Sequence, residues 1–242
     1  MYNLVKIIEG RKHINTPSFT SVMENNAFSY IGEIRRASPE YGLSNDGFNA
    51  DELISGFNKC ADAISVCTEE AFFKGNDGII ERTLSKTHLP IIKRDFIISP
   101  IQIFSAKALG VSAITFVCAA LKLSRLKEYK RIADAVKIEP IAEIFSDCDL
   151  NNAFESGFKW VLINAFDYKN QRYDESIIWS LIERMPDNIN VLLDCKEYTQ
   201  DTLDKIHSLD IKGIFISRDF FNNGDCTDTL KRIKGYYGSV TV

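Results

Sequence analysis

The sequence predicts an α/β fold: a (β/α)8 barrel of the TIM type with a short N-terminal helical extension. Three observations predict it. Eight short apolar runs rich in β-branched residues recur along the 242 residues. Amphipathic stretches of helical period separate them. The loop after the first run also lacks the glycine-rich phosphate loop that usually follows the first strand of an open doubly wound sheet. Apolar runs without polar alternation are the mark of parallel strands covered on both faces, and about 250 residues is a usual size for such a barrel.

Taken in order, residues 1–27 form the extension, read as one or two short helices, and residues 28–242 form the barrel domain. The first strand is Phe28–Ile34. The helix Asn49–Cys60 follows, with Leu53, Ile54 and Phe57 on one face. The second strand, Ala63–Val66, leads to a helix over Asp77–Lys86 carrying Ile79, Ile80 and Leu84. After the third strand, Leu89–Arg94, Ser99-Pro100 opens a helix with a polar cap and Pro at its first position, and Gly110 closes it. The fourth strand, Ala113–Ala119, precedes Leu123–Val136, where Leu126, Tyr129, Ile132, Ala133 and Val136 recur at helical spacing. Pro140–Phe145 is the fifth strand, and the helix after it runs from the cap Ser146 to Gly157. Trp160–Asn164, Asn190–Cys195 and Gly213–Ser217 complete the strands, with helices at Ser176–Met185, Thr199–Leu209 and Asp228–Ile233.

Composition narrows the function. A net charge of −4 gives no electrostatic reason to bind nucleic acid or an anionic membrane, although a few local cations suffice for an anionic small molecule. No apolar run reaches the roughly 18 residues of a membrane span, and Met1–Arg11 has no signal-like apolar region. The six cysteines form no C-x-x-C pair. Together these features imply a reduced, cytoplasmic protein with neither disulfide framework nor metal site. His13, His88 and His207 fall outside the strand ends and are not expected to be catalytic or metal ligands.

Barrel active sites lie at the C-terminal ends of the strands, so the polar residues there are the candidates. Glu33, Glu143 and Asp194 each interrupt or close an apolar run, and a desolvated carboxylate needs a partner. Arg35 and Arg94 are the obvious partners. Such clusters perturb protonation and are enriched at active sites. Lys93 neighbours Arg94 and, by strand alternation, faces away from the barrel interior. Other polar strand-end residues include Ser38, Asn164, Lys196, Ser217 and Arg218. Any one of them, alone, is more simply a helix cap or a structural ion pair. Phe72, Phe73, Phe220 and Phe221 fall in loops near the mouth, where they either stack on an aromatic substrate or pack the loops.

These residues carry a resemblance. Glu33-Ile-Arg-Arg-Ala-Ser-Pro resembles the E-I-K-R-x-S-P segment of the indole-3-glycerol phosphate synthase family. Ala63-Ile-Ser-Val-Cys-Thr-Glu, followed by Phe72-Phe73-Lys-Gly, resembles its I-S-V-L-T-E…F-x-G segment. Arg94-Asp95-Phe96-Ile97 with Gln102-Ile103 resembles its K-D-F-I…Q-I. Glu143 and Asn164 fall at the family's strand 5 glutamate and strand 6 asparagine. The resemblance implies a cofactor-free ring closure of an N-aryl amino-deoxyribulose phosphate with loss of carbon dioxide and water. It assigns the general acid to a strand 3 lysine, the general base to Glu143, and the substrate carboxylate to the strand 1 basic residue. It implies catalytic roles for Glu33, Arg35, Arg94, Glu143, Asn164 and Asp194. Substrate contacts fall to Ser38, Phe73, Cys195, Lys196, Ser217 and Arg218.

The chain departs from the family at defined points. Arg35 and Arg94 stand where the family has lysine. Phe166 replaces the arginine of its strand 6 pattern, Asp194-Cys195-Lys196 replaces Glu-Ser-Gly, and Ser217-Arg218 replaces a glycine turn. Arg35 retains the capacity to bind a carboxylate bidentately. Arg94 is a poor proton donor near neutral pH. Two expectations follow: a synthase acting on an anionic aromatic sugar phosphate, or a diverged barrel with another sugar-phosphate substrate or a non-catalytic binding role. The expected assembly is a monomer or weak homo-oligomer.

Overall fold

The computed structural model describes residues 16–38, 42–43, 48–167, 172–195 and 198–217. Eight parallel strands close into a barrel: β1 (Ser29–Ile34), β2 (Ala63–Cys67), β3 (Ile91–Arg94), β4 (Ala113–Val117), β5 (Glu139–Ile144), β6 (Trp160–Asn164), β7 (Asn190–Asp194) and β8 (Ile211–Ser217). Each strand pairs with its sequence neighbour, and β1 closes the ring against β8 with Ser29 opposite Gly213. Seven helices return the chain between strands: α2 (Ala50–Cys60), α3 (Asp77–Leu84), α4 (Pro100–Leu109), α5 (Leu123–Ala135), α6 (Asp147–Ser156), α7 (Glu175–Ile182) and α8 (Gln200–His207). They follow α1 (Phe19–Asn25), which precedes the barrel. The helix expected at Asp228–Ile233 lies outside the described residues. Among the described residues no helix is long and apolar enough to cross a membrane.

Strand alternation sorts the core into two layers of packing. Tyr30, Ile34, Ile64 and Val66 face outward against Ile54, Phe57 and Ile80 of the helices. Ile31, Ile92, Ile141, Leu192, Leu162 and Phe215 fill the interior. The outer layer is tight at Gly32, where a Cβ would come within 2.4 Å of the Phe57 ring.

The N-terminal segment closes the bottom of this interior. Phe19 and Met23 of α1 are buried with the inward-facing residues, and the Phe19 ring meets Trp160 edge-on at 5.0 Å. Polar bonds fix the helix there. Thr20 donates to Glu139, Thr16 to the Gly110 carbonyl, and Ser112 to the Pro17 carbonyl. Part of the extension is therefore the barrel's floor.

Most element boundaries fall within two residues of expectation. The fourth strand ends early because Cys118–Ala120 tightens into a 3-10 turn. The eighth begins two residues early, at Ile211, and β2 runs one residue further, to Cys67. Two short ribbons, Ala37–Ser38 with Gly42–Leu43 and Phe166–Asp167 with Arg172–Tyr173, have no counterpart in the periodicity, because two-residue strands are too short to show one.

Because Phe19 fills a closed interior, Phe19→Ala is expected to cost about 3–5 kcal/mol. Urea unfolding should show this as a lower midpoint with an unchanged slope.

Candidate active site

Alternation dictates the mouth of the barrel. On β1 the inward positions are Ser29, Ile31 and Glu33, and on β3 they are Ile92 and Arg94. On β5 Ile141 is followed by Glu143, and on β7 Leu192 is followed by Asp194. The four odd-numbered strands thus each place one charged residue at the top of the interior, the four-residue layering expected of such barrels.

Arg94 joins the other three. Its Nη2 donates to Glu143 Oε1 at 2.5 Å and its Nε to Glu143 Oε2 at 3.3 Å. Its Nη1 donates to Glu33 Oε1 at 2.6 Å and to Asp194 Oδ2 at 2.7 Å. The guanidinium carbon lies 5.5 Å from the centre of the Phe215 ring, a cation–π contact from β8. Even-numbered strands add two polar neighbours. Asn164 Nδ2 donates to Glu143 Oε1 at 2.9 Å, while its Oδ1 accepts from the Phe166 N–H. Cys67 Sγ donates to Glu33 Oε1 at 3.4 Å. Arg35, just beyond β1, reaches the other Glu33 oxygen at 3.4 Å.

The rim is built by the loops after β1, β2 and β3. Glu69 accepts from the N–H groups of Ala71, Phe72 and Phe73, curling the loop that carries Phe73. The Phe73 carbonyl accepts from the Ala37 N–H, linking that loop to the short strand that holds buried Ser38. Gly75 closes the curl, and a Cβ there would lie 2.2 Å from the Cys67 carbonyl oxygen. Thr68 donates to Asp95 at 2.7 Å, and Lys93 pairs with Asp95 and with Asp77 of α3. Lys93 thus points outward, as alternation requires. Gln102 accepts from the N–H groups of Ile98 and Ser99 and donates to the Phe96 carbonyl, setting the start of α4. The Thr-Glu, Asp-Phe-Ile and Gln-Ile parts of the segments read in the sequence therefore shape the rim.

Protonation follows from these contacts. Burial alone would raise Glu33, but Arg94 and Arg35 outweigh it and hold its carboxyl below the usual range. Burial works against the Arg94 charge, yet Glu143, Glu33 and Asp194 keep the guanidinium protonated well above the ordinary arginine range. Asp194 is pushed up, first by burial and then by the Glu33 charge, with Arg94 opposing incompletely. Burial and Glu33 also push the Cys67 thiol up.

Of the residues singled out in the sequence, Glu33, Arg35, Arg94, Glu143, Asn164 and Asp194 meet in this group. Ser38 and Phe73 belong to its rim. Ser217 ends β8 in register with Glu33. Cys195 is not brought in: it packs in the outer apolar core, and burial pushes its thiol up to about 12. Lys196, Arg218, Phe220, Phe221 and His13 lie outside the described residues. His88 is exposed just before β3, at the opposite end of the barrel. Cys67 was missed, though continuing the inward alternation Ala63, Ser65 one step further reaches it.

The chain is similar to known proteins in sequence and in fold. The sequence model of the family described as indole-3-glycerol phosphate synthase matches residues 6–233. An indole-3-glycerol phosphate synthase of Thermoanaerobacter pseudethanolicus is 29% identical over 223 residues, 90% of this chain and 85% of the relative. One from Caldanaerobacter subterraneus is 30% identical, over 90% of this chain and 86% of the relative. Among solved structures, KGPDC from Streptococcus mutans superposes with a TM-score of 0.66 at 13% identity, covering 89% of this chain and 99% of that one. Orotidine 5'-phosphate decarboxylase from Pyrococcus horikoshii does so with 0.60 at 12% identity, covering 84% and 96%. At such identities the structures speak for the barrel fold alone.

Removing Arg94 takes the shared cation from three carboxyl groups. Arg94→Met is expected to cost about 3–5 kcal/mol near neutral pH. Glu33 is depressed, so its contribution is present above its unfolded pKa and lost as pH falls through the folded one. The deficit of the variant should therefore shrink as pH falls below about 4, towards the depressed Glu33 titration. Urea unfolding at the two pH values checks this, and a deficit constant across pH would count against the network.

Proposed function

The chain belongs to the indole-3-glycerol phosphate synthase family, and from that premise we propose that it closes the indole ring of 1-(2-carboxyphenylamino)-1-deoxyribulose 5-phosphate. The enzyme is then a carboxy-lyase of tryptophan biosynthesis that works without a cofactor. The observation that carries this reading is the convergence of Glu33 and Glu143 on one strand 3 cation, Arg94, with Asn164 donating to Glu143.

The contacts of Arg35, Arg94, Glu33, Glu143 and Asn164 support a role for each. Arg35 is only partly buried, and its fork suits the carboxylate of the substrate's aromatic ring. Glu143 is the general base, and Asn164 orients it. Arg94 stabilises negative charge as it develops on the sugar carbonyl oxygen, in a site where such stabilisation is strong. Glu33 holds both guanidinium groups in place. Ser38 and Phe73 contact the substrate at the rim, and Lys196, Ser217 and Arg218 receive the phosphate, by charge where glycine turns are missing. The protein acts in the cytoplasm as a monomer or weak homo-oligomer.

One observation favours a second reading. Arg94 is a guanidinium engaged by three carboxylates, where the family has a lysine able to release a proton. A barrel that binds the sugar phosphate without turning it over, or converts a related one, would carry such a site.

Indole fluorescence after addition of the substrate separates the two. Turnover is expected, and Glu143→Gln should lower kcat by about 10²–10⁴-fold with substrate affinity nearly unchanged. Binding without product at stoichiometric enzyme would establish the second reading.

A further inference from the structure

Ring closure needs a proton at the sugar carbonyl oxygen, and the residue at the family's donor position is here a guanidinium that keeps its own. We propose that Asp194, held as the neutral carboxylic acid, supplies that proton in this chain. The inference rests on the reaction proposed above.

Charge and geometry select Asp194. Among the described residues the mouth brings together three carboxylates, those of Glu33, Glu143 and Asp194, and two guanidinium groups, those of Arg94 and Arg35. Within this group of five one negative charge is in surplus in a desolvated place, and a carboxyl so placed takes up a proton. Glu143 receives two Arg94 donors and the Asn164 amide. Glu33 Oε1 receives Arg94 and the Cys67 thiol, and the Arg35 guanidinium forms an ion pair with its other oxygen at 3.4 Å. Asp194 receives a single bond, from the Arg94 Nη1 that also serves Glu33, and it arrives on Oδ2. It is thus the least compensated of the three.

Asp194 is also the most accessible. Its side chain is 15% exposed, against 0% for Glu33 and 4% for Glu143. Among the described residues, the charged and titratable groups around it are Arg94 from β3, Glu33 and Arg35 from the end of β1, and Cys195 and Tyr198 from the loop after β7. Burial keeps Cys195 and Tyr198 in their neutral forms, so they do not offset the surplus. The upward push on Asp194 from burial and from Glu33 agrees with this count.

The step balances without a redox partner. The aromatic carbon bearing the carboxylate attacks the sugar carbonyl carbon, and the new carbon–carbon bond forms. The carbonyl π pair moves onto oxygen, which takes the Asp194 proton and becomes a hydroxyl. The bond to the carboxylate then breaks, its electron pair restores the aromatic ring, and carbon dioxide leaves. Asp194, reprotonated from solvent, protonates the departing hydroxyl as water, while Glu143 takes a proton from the adjacent carbon and returns it to solvent. The net change consumes one proton.

Two measurements test the assignment. Infrared spectroscopy near neutral pH should show the carbonyl stretch of a protonated carboxyl in the parent protein and lose it in Asp194→Asn. Absence of the band from the parent would overturn the proposal, whatever the enzyme turns over. Kinetically, Asp194→Asn should lower kcat about 100-fold or more with KM within about threefold. The parent's kcat should fall as pH rises through the Asp194 titration, and Asp194→Glu should keep activity while moving that limb. Adding Arg94→Lys to Asp194→Asn should restore turnover, because a lysine can donate. An Asp194→Asn enzyme within about threefold of the parent, or a limb unmoved in Asp194→Glu, would overturn the donor role. A parent that shows the band but makes no indole would overturn the reaction reading and, with it, the donor role, leaving only the location of the proton.

Discussion

An ionised carboxyl group removed from water costs several kcal/mol unless a cation meets it, and this barrel closes its interior with three carboxyl groups. The guanidinium of Arg94 meets all three at once, from the one odd-numbered strand that does not supply an acid. Its planar fork makes this possible: five N–H donors diverge in one plane and reach Glu143 on one side and Glu33 and Asp194 on the other. An ammonium group is a point charge with three donors and makes such a bridge less directionally. The strand 3 arginine therefore ties the four odd strands together at the end of the barrel opposite the Phe19 plug.

The same property changes what the site can do chemically. A lysine at this position is a cation that can also give up its proton. Arginine keeps the charge and withholds the proton, so electrostatic stabilisation and proton delivery, combined in one side chain in the family, must be divided here. That delivery is the role proposed for Asp194. Around this centre the rim is set by hydrogen bonds that do not involve Arg94: the Glu69 curl, the Thr68–Asp95 bond and the Gln102 bridge. These hold the loops after β2 and β3 in place whichever cation stands in the middle.

Much of this was legible in the sequence because period-two and helical patterns carry it. The apolar run ending in Glu33 could only be a strand with its last inward position charged, and the same logic placed Glu143 and Asp194. The opposite orientations of Lys93 and Arg94 followed from alternation alone, and the structure shows Lys93 paired with Asp77 outside the barrel. What escaped was of another kind. Cys67 entered the site because β2 extends one residue further than its apolar run suggested. The Phe19 floor is a tertiary fit of a short helix into a ring, which no local pattern encodes. Cys195 faced outward although its neighbour Asp194 faced inward, a direct consequence of the alternation that the family motif obscured.

The central claim is that Arg94 and the mouth carboxylates act as one coupled unit, and a double-mutant cycle measures that most directly. Unfolding free energies of the parent, Arg94→Met, Glu143→Gln and the double variant near neutral pH give the coupling between the two side chains. The account predicts at least about 1.5 kcal/mol of favourable coupling, the scale measured for close charge pairs. Additivity within about 0.5 kcal/mol, as expected of independent sites, would contradict it.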